Sequence, residues 1–154
     1  MLTEEELNEI REEVKMYPIP SAACISALKI VQEHRKWVSD EAIKDIAEEL
    51  GMSNEEVDGV ATFYSRIYRK PVGDNVILIC DGISCMIMGY ESIYEQVKEK
   101  LGIGFGETTA DNRFTLLPIS CLGDCDHAPS MMVNNDHYNE LTKEKVMDIL
   151  SKYK

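Results

Sequence analysis

The sequence predicts an α+β protein, with a helical bundle over residues 1–70 and a domain of strands and helices over residues 71–154. Two observations predict it. Apolar residues in the first half recur at helical spacing, and after Lys70-Pro71-Val72-Gly73-Asp74 the pattern changes to short continuous apolar runs. A third observation bears on chemistry: four of the five cysteines fall in two close pairs, CDGISC (80–85) and CLGDC (121–125), both after that break.

The elements follow in order. Thr3-x-x-Glu6 is a capping box, in which hydroxyl and carboxylate each satisfy a free backbone N–H, and Leu7, Ile10 and Val14 then share one face. Pro18 and Pro20 end that helix. A second helix is expected from about Ser21, with Cys24, Ala27, Leu28 and Val31 as its apolar stripe. A third is expected from Ser39 to a stop at Gly51. A fourth is expected from the box Ser53-x-x-Glu56, with Val57, Val60, Ala61 and Tyr64 on one side. Beyond the break, Val76 to Cys80 reads as a strand buried on both faces that delivers Cys80 at its end. Ile93, Val97 and Leu101 mark a helix, Phe114 to Ile119 a strand weakened by Pro118, and Met131 to Val133 another strand. After the turn Asn134-Asn135-Asp136 come a short strand around Tyr138 and a last helix capped by Thr142, giving a β-α-β-β-α order.

The net charge of -12 argues against nucleic acid or an anionic membrane surface as a direct partner, because both would repel the chain. The start MLTEEELNEI has neither a basic segment nor an apolar core, so no secretory signal and a cytoplasmic location are expected. In a reducing compartment the cysteines read as ligands or core residues, not as a disulfide framework. Gly102-Ile103-Gly104-Phe105-Gly106 follows a helix, where a dinucleotide loop would follow a strand. A nucleotide site is therefore expected elsewhere.

Two thiolates from each of two loops can surround a compact inorganic centre. The x4 and x3 spacings are wider than the C-x2-C knuckles that wrap one zinc ion, and they suit a two-iron cluster, with each pair serving one iron. A zinc-stabilised interaction module and a dithiol oxidoreductase are the alternatives from other classes. A dithiol of thioredoxin type would place C-x-x-C at the start of a helix, and neither pair has that spacing. Cys24, alone on an apolar stripe, reads as a core residue. Ligation by His34, His127 or His137 would leave one well-spaced cysteine unused, so His127 reads as a neighbour of the centre or a surface group. Gly82 and Gly123 read as turn residues that also let backbone N–H groups approach sulfur.

This order of elements, with cysteine pairs after the first two strands, resembles the thioredoxin-like [2Fe-2S] ferredoxins. The segments SALKIVQEHRKWV (26–38), GVATFYSRIYRKPVG (59–73) and RFTLLPISCLGDCDHAP (113–129) resemble the E subunit family of NADH:quinone oxidoreductase, respiratory complex I. The resemblance implies a thioredoxin-like domain over 71–154 and one [2Fe-2S] cluster on Cys80, Cys85, Cys121 and Cys125. It also implies a flavin-bearing, NADH-oxidising F-type subunit as partner, and a place in the peripheral arm of a membrane complex without direct membrane contact. The equivalent small subunit of an NAD-linked hydrogenase or formate dehydrogenase is the alternative within the same family. A ferredoxin domain alone has no need of the helical half, which is therefore expected to clamp the partner.

Overall fold

The computed structural model describes residues 1–153 and divides between Pro71 and Val72 into two units, each with its own apolar core. In the first unit, α1 (Glu4–Val14) starts at the predicted capping box: Thr3 Oγ1 accepts from the Glu6 N–H at 3.2 Å, and Glu6 Oε2 accepts from the Thr3 N–H at 2.7 Å. Helices α2 (Cys24–Arg35), α3 (Asp40–Leu50) and α4 (Asn54–Phe63) follow, with Ser39 and Ser53 capping the last two. Each such cap stabilises its helix by about 1 kcal/mol relative to alanine. The four helices bury Ile10, Leu28, Val31, Ile46 and Val57 against one another. Each fully buried side chain of this size contributes roughly 1.5–3 kcal/mol.

Two expectations for this unit need correction. Residues Pro20–Ala23 form a 3-10 turn, and α2 begins only at Cys24. Proline at position 20 fixes the backbone for a first turn, but residues this close to it form i→i+3 bonds, as in Ala22 N–H to Ile19 O at 3.2 Å. Tyr64 does not extend the stripe of α4: it is the residue after the helix, in extended conformation, and it is exposed.

In the second unit, β1 (Asn75–Cys80) is buried along its whole length. It is the central strand of a five-stranded sheet of order β2-β3-β1-β4-β5, with β2 at Glu107–Thr108, β3 at Phe114–Ile119, β4 at Met131–Val133 and β5 at Asp136–Tyr138. β3 runs parallel to β1, and β4 runs antiparallel to it. Pro118 is tolerated in β3 because Ile119 faces β1, where its carbonyl accepts from the Asp81 N–H at 3.0 Å. By strand alternation Pro118 faces the other side, beyond the end of the two-residue β2, so no ladder bond needs its missing N–H. Helices α6 (Tyr90–Leu101) and α7 (Lys143–Lys152) pack on the sheet, where Ile93, Val97, Val146 and Ile149 meet Ile77, Ile79 and Leu116. The β-α-β-β-α expectation omitted β2 and the short helix α5 (Ile83–Ile87). Neither carries enough periodicity to be read, at two and five residues. Among the described residues, no helix is long and apolar enough to cross a membrane.

Candidate metal centre

Because β1 and β3 are parallel and in register from Asn75↔Phe114 to Cys80↔Ile119, both strands end at the same edge of the sheet. The chain leaving β1 carries CDGISC, and the chain leaving β3 carries CLGDC. Parallel pairing therefore brings together cysteines separated by some forty positions. The antiparallel strand β4 enters at that edge too, since Ile79 pairs with Met131, and this places Ser130 beside Cys80.

All four paired cysteines are free thiols; Cys80 and Cys85 are buried, while Cys121 and Cys125 are exposed. Burial pushes the Cys80 thiol up, but hydrogen bonds from the Gly82 N–H, Cys85, the Leu122 N–H and Ser130 outweigh it and leave the thiol below its ordinary value. Cys85 is pushed up by burial, against hydrogen bonds from the Ser130 side chain and backbone; its Sγ lies 3.6 Å from Ser130 Oγ. Cys121 Sγ and Cys125 Sγ are 3.8 Å apart, and the neighbouring Cys121 raises Cys125. The Gly123 N–H points at Cys121 Sγ, 3.3 Å away. Cys125 also contacts Ser84 and lies within the field of Cys80, so the second pair adjoins the first.

Both loop glycines are required by geometry. A Cβ at Gly82 would come within 2.8 Å of the Ser120 carbonyl and 3.5 Å of Cys80 Sγ, and Gly123 adopts φ +80°, where side chains are strained. As read from the sequence, these residues bring backbone N–H groups to sulfur. The thiolate donor set, with N–H groups aimed at its sulfurs, fits a [2Fe-2S] cluster.

Asp124 braces the second loop: its carboxylate accepts from Asn139 Nδ2 at 2.7 Å and meets His127 Nδ1 at 2.7 Å, which together hold it below the usual carboxylate range. His137 Nε2 approaches the same carboxylate at 3.5 Å. His34 lies in the helical unit, paired with Glu9. Sequence reasoning missed Ser130 and the Leu122 N–H. Nothing in the local sequence marks Ser130; only the antiparallel return of β4 brings it to the buried pair.

The model of the thioredoxin-like [2Fe-2S] ferredoxin family matches residues 10–154. The chain belongs to this family. Within the family it is similar to the E subunit of NADH-quinone oxidoreductase from Pseudomonas aeruginosa, at 48% identity over 99% of this chain and 92% of that protein. The same-named proteins of Buchnera aphidicola from Acyrthosiphon pisum and of Escherichia coli K12 are 51% and 49% identical, covering 99% of this chain and 94% and 92% of theirs. The fold is also that of part of an NAD+-reducing [NiFe]-hydrogenase, with TM-score 0.71, 20% identity, and coverage of 85% of this chain and 22% of that one. The family and the thiolate donor set thus agree on a [2Fe-2S] cofactor.

Proposed function

We propose that this chain is the electron-transfer subunit holding one [2Fe-2S] cluster on Cys80, Cys85, Cys121 and Cys125, beside the flavin-bearing, NADH-oxidising subunit of an NADH:quinone oxidoreductase. The observation that carries the reading is the gathering of four free thiols and their N–H donors at one sheet edge, in a chain that matches the E subunits of these oxidoreductases over nearly its whole length. The likeness to the hydrogenase, at 20% identity, concerns the fold, so the relatives favour quinone-linked oxidation over hydrogen chemistry. In this reading the chain sits on the cytoplasmic side, in the peripheral arm of the complex.

When bound, the cluster supplies a one-electron centre. The chain's own residues set its environment. Cys80 and Cys85 are shielded from water, and N–H groups of Gly82, Leu122, Gly123 and Ser130 stabilise negative charge on sulfur. Against that, no lysine or arginine occurs from Pro71 to Val97 or from Phe114 to Thr142, while Asp81, Asp124 and Asp126 border the cysteines. A negative surround disfavours an added electron, so the centre has a low potential. The helical unit holds the partner.

Protein purified anaerobically after expression with iron is expected to be reddish-brown, to contain about two irons per chain and to give a paramagnetic signal on one-electron reduction. Stoichiometric zinc without visible absorption would overturn the reading in favour of a zinc-stabilised module.

A further inference from the structure

In the second unit, every large apolar side chain that is strongly exposed among the described residues lies in one six-residue stretch: Ile83 at 79%, Met86 at 55%, Ile87 at 78% and Met88 at 61%. Single exposed apolar residues are ordinary, but four together form a patch of the kind that marks an interaction surface. Helix α5 has two sides of opposite character. Cys85 turns inward and is 1% exposed, while Ile83 and Ile87, four positions apart, share the outer face. The two methionines give the patch a surface that adapts to a partner's shape.

Charge selects the occupant. No lysine or arginine occurs from Pro71 to Val97, and the acidic Asp81 and Glu91 flank the patch on either side along the chain. A second copy of the chain would bring an identical acidic border against it, and an anionic membrane or nucleic acid would be repelled as well. Position selects it further. Ser84 of α5 contacts the exposed thiol of Cys125, so the patch lies next to the exposed half of the metal centre. We infer that α5 is the seat of the electron partner, its apolar face fitting an apolar socket edged by lysine or arginine on the flavin-bearing subunit. This rests on the function proposed above and adds to it the docking residues and the chemistry of the partner's face.

The test is titration calorimetry of the purified flavin-bearing subunit against the full-length, cluster-loaded chain and its Ile83→Asp/Ile87→Asp variant, with iron content and visible spectrum measured on the same samples. Both side chains face solvent, so the variant is expected to keep its iron and spectrum while its Kd weakens at least about tenfold. Ile87→Leu is expected to bind like the parent, and parent binding is expected to weaken with added salt. An unchanged Kd in the iron-loaded double variant overturns the proposal. So does a parent chain that dimerises through this face, with dimerisation abolished in the double variant, because the occupant is then a second copy. If the double substitution loses iron, Met88→Asp, which lies outside the helix, replaces it in the same titration under the same criteria. A parent chain that carries iron yet does not bind the flavin-bearing subunit refutes the partner assignment itself, and that failure is visible before any substitution is made.

Discussion

Cys24 in the helical unit and Cys80 in the sheet unit are buried to the same degree, at 4% and 2% exposure, yet their thiols are displaced in opposite directions. Cys24 lies among apolar neighbours of the bundle core, and burial raises it. Cys80 is buried too, but backbone N–H groups of Gly82 and Leu122 reach its sulfur, and its thiol is lowered. Hiding a cysteine from water makes it inert; hiding it among aimed donors prepares it to carry negative charge. The contrast extends to the two units. The first uses its polar groups to cap and tie helices, and the second uses them to surround sulfur.

The largest expected effect breaks this contrast directly. Replacing Cys80, Cys85, Cys121 or Cys125 by alanine is expected to abolish or destabilise the cluster, read as iron content and visible absorption, while Cys24→Ala leaves both unchanged. Loss of colour in Cys24→Ala would reassign the ligands. A chain beginning at Val72 comes next: it is expected to keep its iron and to lose affinity for the flavin-bearing subunit by between about 10²- and 10⁴-fold, as when one of two linked contacts is removed. Equal affinity of truncated and full-length chains would move the whole interface to the sheet unit.

A third prediction concerns the bond that ties α1 to α2. Burial pushes the Glu6 carboxyl up, but bonds from Arg35 at 2.5 Å and from Thr3 outweigh it and hold it at about 2, against an ordinary 4.5. A depressed carboxylate contributes stability that is present above pH 4.5 and is lost as pH falls towards 2. The loss attributable to Glu6 is roughly 3 kcal/mol, and Glu6→Gln should flatten the denaturant midpoint over that pH window. The smallest effect is expected at Ser130. Ser130→Ala removes a donor from Cys85 and should lower the cluster potential by about 30–60 mV, a three- to tenfold change for one electron, with iron content retained. An unchanged potential would show that the serine only fills space.

Much of this molecule was legible along the chain. The boxes Thr3-x-x-Glu6 and Ser53-x-x-Glu56 name their helix starts, because a cap is a contact between residues three apart. The buried run from Val76 to Cys80 names the central strand, and the cysteine spacing marked the positions that meet at the candidate centre. What escaped was either short or distant. Helix α5 has five residues, too few to show a period, so the apolar patch it presents beside the thiols went unread. Ser130 escaped for the other reason, since its neighbours in space are remote in sequence.

The sequence by itself determined the type of most elements and the two short cysteine loops, because these depend on local periodicity, capping and spacing. Only the tertiary structure decided which groups surround the sulfurs and which face of α5 stays bare. The first follows from strand direction. The parallel pairing of β1 with β3 sends two cysteine loops to one edge, and the antiparallel return of β4 brings Ser130 there with them. Direction and neighbour in a sheet are set by how the buried faces of several strands and helices fit together, and no single stretch of sequence contains that information.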